Sequence, residues 1–427
     1  MTRRRAAALV ALAHLGLAGG AIAQQDTLPA RPDSAAVVAD SLVGRPATTA
    51  ADTTARAAEV SAQDSPEDRG LVIRTADRSL QLRILGSIRV FGSYDFQGLP
   101  RADAFSPLEI PVPDDGGVDR FYMDARQTRL GFETTWRRPE SSHTLFARIE
   151  ADFSGAGEAF RLRHAYIRVD DNRVIIGQTW TAFTDIAAVP LTVDLDGPAS
   201  SIILRSAQVR YTHPLGDGLT LAGSVETPSA DIGSVSSLTD ESYQSFPDVV
   251  AQLRVVRPTV RAQGALLVRV LSAPLDSVAR ERVVGAGAMG SVRVTLGPTS
   301  SLSAQAVLGA GISRYVRGVS GRGFDLVLDP TDSSYVAPTL RGAYVAYSFV
   351  PRAQVSVSAI LGGLWAPAED FYPPSSYRSG GTFALNAFAP VFPGMTVGAE
   401  AIVGWRRNLD GQSGDALRLQ ARATYEF

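Results

Sequence analysis

Arginine is the residue type through which this chain could do chemistry. All 41 basic residues are Arg, and the sequence contains no Lys. Many recur at even spacing inside apolar runs: Arg83 and Arg89, Arg261 and Arg269, Arg418 and Arg422. A guanidinium is permanently charged and offers a planar donor fork that fits a carboxylate in a bidentate way. A row of them along one surface suits the guiding of small anions. A second group is acidic. The segment "GQTWTAFTDIAAVPLTVDLDG", residues 177–197, places Asp185, Asp194 and Asp196 in a half-apolar stretch that breaks the alternation before it. General acid–base catalysis would need a histidine within reach of substrate. The four histidines, His14, His143, His164 and His213, are far apart, and only His164 could pair with Asp152 or Asp185. A structural hydrogen bond is the simpler reading of His164. "PDDGGVD" clusters Asp114, Asp115 and Asp119 as oxygen donors for Ca²⁺. It lacks EF-hand spacing and reads as a solvated loop. No catalytic residue, metal or cofactor is expected, and the absence of Cys excludes disulfides and thiolate sites.

The elements that position these groups follow from composition and period. The chain has 427 residues and a formal net charge of −2, which argues against a binder dominated by nucleic-acid phosphates. Met1 to Arg5 carries three consecutive arginines, an apolar run follows, and Ala21-Ile22-Ala23 supplies a small-x-small cleavage site. Residues 1–23 are therefore expected to be a secretory signal peptide. Residues 24–70 are rich in Ala, Thr, Ser, Pro and Asp and show no apolar period. They read as a disordered periplasmic segment. The order then changes. Leu80, Leu82, Ile84, Ile88 and Val90 share one face, while Gln81, Arg83 and Arg89 share the other. Val260, Ala262, Leu266 and Val268 oppose Arg261, Gln263 and Arg269 in the same way. A period of two marks a strand with one apolar face.

About 16 such runs follow in residues 71–427, joined alternately by tight turns and long loops. Loops at 97–120, 181–200, 227–247 and 312–337 alternate with turns at 137–142, 170–173, 213–218 and 297–300. An even strand number with loop lengths sorted to two sides predicts an all-β fold, a transmembrane antiparallel β-barrel. Its third external loop, 181–200, is expected to fold inward. The terminal Phe427, in phase with Tyr425 and Ala423, suits a closing strand presented to the barrel-assembly machinery.

A barrel of this size encloses water, so the face opposite the apolar one reports on what passes. Parity puts Arg83, Arg89, Arg129, Arg148, Arg168, Arg210, Arg254, Arg261, Arg269, Arg293, Arg406, Arg418 and Arg422 inward. The inward acids are fewer: Asp95, Glu133, Glu150, Asp152, Glu226, Glu400 and Glu426. Rings of Arg favour anions. Arg89, Arg129, Arg148 and Arg418 fall on neighbouring strands of the closed barrel and predict a basic ladder. Asp185, Asp194 and Asp196 either face that ladder across a constriction or tie the loop to the wall. Asp124, Arg126, Arg161 and Arg163 fall on the nominal lipid face, where charge is costly. An intersubunit position would accommodate Arg126, Arg161 and Arg163.

At "YMDARQTRLGFETT", "ARIEADFSG", "RLRHAYIRV" and "IGQTWTAFTD" the sequence resembles the DcaP-like outer-membrane porins. The resemblance covers about residues 80–427 and is densest from Phe121 to Tyr211. It implies a trimeric barrel of sixteen strands that takes up small anionic compounds, notably dicarboxylic acids. It also sets Arg129, Glu150, Asp152, Arg163, His164, Gln178, Trp180 and Asp185 in family-like positions. Family members often carry an N-terminal coiled coil, but residues 24–70 show no sustained heptads.

The expected function is passive, anion-preferring diffusion of small organic acids across a bacterial outer membrane. The expected constriction comprises Arg89, Arg129, Arg148, His164, Arg418, Arg422, Asp185, Asp194 and Asp196. Expected partners are outer-membrane lipid and lipopolysaccharide, two further copies of the chain and small anionic solutes, with no nucleic acid. The competing classes are a barrel enzyme of protease or lipase type and a structural or adhesive barrel with a closed lumen.

Overall fold

The computed structural model describes residues 70–113, 117–137, 140–233, 244–274, 280–351, 354–366 and 369–427. The expected leader and all of the expected N-terminal segment but Gly70, together with Asp114 and Asp115, lie outside the described residues.

The barrel strands, in chain order, begin with β1 (Leu80–Asp95) and β2, which has two parts (Arg120–Asp124 and Arg129–Arg137). Next come β3 (Thr144–Asp152), β4 (Arg161–Val169), β5 (Val174–Trp180), β6 (Arg205–Gly216) and β7 (Leu219–Glu226). β8 (Asp248–Val256), β9 (Val260–Pro274), β10 (Arg280–Gly297) and β11 (Ser300–Ala310) continue the wall. It ends with β12 (Thr339–Phe349), β13 (Ser356–Trp365), β14 (Tyr377–Phe392), β15 (Met395–Asn408) and β16 (Ser413–Glu426). Each pairs antiparallel with the next, and β16 returns to β1 in the register Ser87↔Glu426 to Asp95↔Arg418. The seam closes at Gly86 and Phe427, which exchange backbone hydrogen bonds of 3.0 and 3.1 Å. Below that point β16 has run out, and an N-terminal ribbon, Leu71–Arg74, pairs with residues 81–84 of β1 in its place. The ribbon thus covers the stretch of β1 that β16 does not reach.

The pattern is that of a soluble protein turned inside out. Ile88, Ile149, Ile176, Val209, Leu266, Val345 and Val403 point outward and are 41–60 % exposed. The alternate residues Ser87, Glu150, Gln208, Gln263, Gln305, Asn386 and Gln420 point inward and are buried. The short turns carry the residues their geometry needs. Asp170, Asp171 and Asn172 hold φ of 46°, 49° and 76°, and Asp217-Gly218 forms a hairpin with φ of 47° and 70°. Tight turns gather at one end of the barrel and long loops at the other, which orients the first end to the periplasm. The long loops here are L1 (residues 96–119), L3 (181–204), L4 (227–247) and L6 (311–338).

Candidate functional site

L3 enters the barrel and runs along the inner wall. Gly177, with φ of 118°, opens the stretch that leads to it; a side chain there would sit 2.3 Å from the Ala165 carbonyl. The Ala182 N–H donates to Glu226 on β7 (3.0 Å), and Gln263 on β9 donates to the Ala182 carbonyl (3.3 Å). Ser291 on β10 donates to Asp185 (2.6 Å), and Tyr344 on β12 to the Ala188 carbonyl (3.2 Å). Asn386 on β14 donates to the Leu191 carbonyl (2.9 Å), while Glu400 on β15 accepts the N–H groups of Val193 (3.3 Å) and Asp194 (3.0 Å). The loop therefore lines the arc from β7 to β15. Across the seam, Leu191 and Val193 also pack against Phe91 of β1 and Tyr122 of β2.

L1 and L6 fold inward as well, which the sequence reading did not anticipate. Leu99, Phe105 and Ile110 of L1 are buried against Ala346, Ile360, Ala384, Ile402 and Ala416 of the wall. Ile312, Tyr315, Val316 and Val319 of L6 join Ala182, Phe183 and Ile202 of L3 in a second apolar cluster. The signal was present: runs such as "AFSPLEI" are too apolar for loops that face only water. L6 is fixed by a buried ion network in which Arg269 on β9 meets Asp248 (3.1 Å) and Asp325 (3.0 Å). The Tyr315 hydroxyl donates to the same Asp248 (2.8 Å).

The three L3 acids are consumed by this packing. Asp185 accepts from Ser291. Asp194 accepts the N–H groups of Phe105 (2.8 Å), Asp196 (2.9 Å) and Gly197 (3.0 Å). Burial, and then the neighbouring Asp196 and Glu400 carboxylates, raise its carboxyl well above the ordinary value. Asp196 joins Arg101 of L1 (2.9 Å) to Arg317 of L6 (2.5 Å). All three are buried. They hold the loops to one another and to the wall.

The ladder itself divides in two. Arg418 is fully buried in a bidentate pair with Asp95, directly across the β1–β16 seam, at 2.7 and 2.9 Å. It also donates to the Arg101 carbonyl beneath L1 (2.5 Å). It offers solute no surface, which corrects its expected role in the constriction. Arg129 and Arg148 sit among acids. Arg148 meets Glu133 (3.4 Å) and Glu150 (2.5 Å), and Arg129 lies 3.9 Å from Glu150. Arg89 on β1 and Arg422 on β16 have no carboxylate within salt-bridge distance among the described residues. Arg422 packs over the Phe388 ring at 5.2 Å. Arg205, at the head of β6, lies over Trp180 at 4.6 Å, again with no carboxylate within salt-bridge distance among the described residues. Its electrostatic neighbours are Arg161, Arg163 and Glu150 on the wall and Arg317 on L6. Strand parity did not single out Arg205.

The lipid-side direction inferred for Arg161 and Arg163 is also corrected. The β3–β4 register slips between Glu150 and Ala151, which pair with His164 and Leu162, so Arg163 is the extra residue of a bulge. The bulge turns it inward to Glu150 (2.6 Å) and Asp152 (2.8 Å). Arg161 takes the other side of Asp152 at 2.7 and 2.9 Å. Arg126 occupies the break between the two parts of β2, bonded to Asp124 (2.7 Å) and 4.0 Å from Asp103 of L1. These charges are matched within one chain. His164 is buried, with Nδ1 3.1 Å from the Thr179 hydroxyl and its ring 5.5 Å from Trp180.

A closed sixteen-strand antiparallel barrel, apolar outside and polar within, with inward-folded loops, is an outer-membrane porin. The model of the DcaP outer membrane protein family matches residues 37–263, more than half of the chain. The protein belongs to that family. In fold it is similar to the outer membrane channel DcaP of Acinetobacter baumannii, at 20 % identity and a TM-score of 0.72 over 83 % of this chain and 99 % of that one. It is also similar to an anion-selective porin from Comamonas acidovorans, at 9 % identity and a TM-score of 0.55 over 82 % and 100 % of the two chains. A loop-deletion mutant of OmpT, an outer membrane protein of Vibrio cholerae, shares the barrel at 12 % identity and a TM-score of 0.53, over 82 % and 100 %. No curated protein matches the chain by sequence.

Proposed function

We propose that the protein is a passive, anion-preferring diffusion channel for small organic acids, dicarboxylates foremost. One observation carries this reading. The acids of L3 are buried in loop contacts, while Arg89, Arg205 and Arg422 have no carboxylate within salt-bridge distance among the described residues. The transverse field expected from opposed acids and arginines is therefore replaced by guanidiniums on the wall. Fixed positive charge in a narrow, poorly screened lumen concentrates anions and repels cations. Two separated guanidiniums favour a solute with two carboxylates, each able to accept a paired hydrogen bond. An anion-selective porin shares this barrel. In liposomes carrying the purified protein, succinate should enter faster than uncharged solutes of its size, and these faster than a diamine. Equal rates for all three would overturn the reading.

The reading includes a secretory leader at residues 1–23, a periplasmic segment at 24–70 and recognition of Phe427 during assembly. It includes no enzymatic step, since His164 is held in a structural contact. It also includes a homotrimer, as the family resemblance implies. Phe121, Met123 and Phe160, 59–69 % exposed on the outer side of β2 and at the foot of β4, offer an apolar contact face. A monomeric mass in mild detergent would remove the trimer from the proposal.

A further inference from the structure

The periplasmic half of the lumen carries a second basic surface, distinct from the constriction. On the inner faces of alternate strands stand Arg168 (β4), Arg210 (β6) and Arg254 (β8). Arg168 and Arg210 both pair in register with the inward, buried Ile175 of β5, so they sit at one level on either side of it. Their backbones are about 10 Å apart across that strand, within mutual reach of two long side chains pointing into the lumen. Arg210 and Arg254 are electrostatic neighbours in turn. Arg261 follows, directly opposite Arg293 in the β9–β10 register.

What separates this arc from the wall above it is that its guanidiniums make no close ion pair: Glu226, the acid in electrostatic range of Arg210, instead accepts from the Ala182 N–H and the Ser224 hydroxyl. Among the described residues, no carboxylate lies within salt-bridge distance of Arg168, Arg210 or Arg254. Their contacts are neutral instead. Arg168 lies over the Phe146 ring at 4.2 Å, and Arg254 donates twice to the Gln263 amide oxygen, at 3.2 and 2.7 Å. Stacking and amide contacts hold the guanidiniums in place without discharging them. Nearer the constriction, Arg148, Arg161 and Arg163 each have a carboxylate.

We infer that Arg168, Arg210 and Arg254 form a second anion-binding station on the periplasmic side of the constriction. It receives the carboxylates of a solute as they leave the Arg89, Arg205 and Arg422 group. The inference rests on the anion-pore reading and deepens it, from one selective constriction to two stations in series. Charge-assisted hydrogen bonds from planar guanidiniums select a carboxylate over an uncharged solute at both. The spacing at the lower station suits a molecule with two carboxylates.

The test is succinate block of the single-channel current, with the full-length protein inserted in one orientation in a planar bilayer and succinate added to one side at a time. In the double variant R210Q/R254Q, the half-blocking concentration from the periplasmic side should rise about tenfold, the loss of roughly one charge-assisted hydrogen bond. Block from the extracellular side should stay within twofold. R205Q should show the reverse asymmetry. R210Q alone gives the same comparison if the double variant assembles poorly. Unchanged periplasmic-side block in R210Q/R254Q, or equal weakening from both sides, overturns the second station while leaving the anion pore intact. A wild-type channel that succinate blocks from neither side would contradict both.

Discussion

The inward arginines fall into two populations that look alike in sequence. Arg148, Arg163, Arg269 and Arg418 are buried against acids: Glu133 and Glu150, Glu150 and Asp152, Asp248 and Asp325, and Asp95. Arg89, Arg168, Arg205, Arg210 and Arg422 rest on aromatic rings, hydroxyls or the open lumen. The first group fastens strands and loops. The second leaves positive charge where a solute can meet it. Both satisfy the same strand parity, so direction alone does not distinguish a fastener from a binding group; the partner does.

Substitutions should separate the two groups, and the largest effect belongs to the fasteners. Asp95→Ala leaves Arg418 charged and buried, and breaking a buried pair in this way costs about 3–5 kcal/mol. Chemical denaturation of the detergent-folded barrel should show that loss, whereas the double variant D95N/R418M should recover most of it. A single variant as stable as the native protein would remove Arg418 from the fasteners.

Glu400→Ala comes next. It deprives Val193 and Asp194 of their acceptor and Asn386 and Gln420 of theirs. Each backbone N–H left without a partner costs about 1–3 kcal/mol. L3 should loosen, and the single-channel current should become noisier and larger. A quiet current of native size would mean that L3 is held by other contacts.

Removing the unpaired guanidiniums should leave the fold alone and change selectivity. Arg89→Gln with Arg422→Gln should lower the preference for chloride over potassium, read as a reversal potential, with thermal stability near native. If stability falls while selectivity holds, these two belong with the fasteners.

The smallest effect concerns pH. Asp194 has its carboxyl raised above the ordinary value of 3.8 in the docked loop. The docked state then favours the protonated form. Its contribution to loop stability is complete below about pH 4 and is lost as the pH climbs above that value. Open-channel noise should increase modestly from pH 4 to 8, and Asp194→Asn should flatten the trend. Noise that falls over this range would reverse the sign.

The barrel was readable from the chain because its signal is local. Alternation, the Asp-Gly and Asp-Asp-Asn turns and the sorted loop lengths each involve a few adjacent residues. The inward direction of Arg210, Arg254 and Arg422 followed from the same period of two. Three features did not. The bulge that turns Arg163 inward adds one residue to β4, and a parity count carries no record of that. The Asp95–Arg418 pair joins residues at opposite ends of the chain, visible only once the seam register is known. The fate of Asp185, Asp194 and Asp196 depended on L1 and L6 entering the lumen beside L3, a matter of packing between loops far apart in sequence. The N-terminal ribbon, Leu71–Arg74, likewise gains its meaning only from where β16 ends.

Selectivity is the property on which the two groups of arginines converge. With the full-length protein in a planar bilayer under a tenfold KCl gradient, the unpaired guanidiniums predict a reversal potential of the sign set by chloride. Raising the salt on both sides should reduce it as screening shortens the reach of the wall charges. A reversal potential of the sign set by potassium would contradict the anion pore, and with it the division of the lumen arginines into fasteners and binding groups.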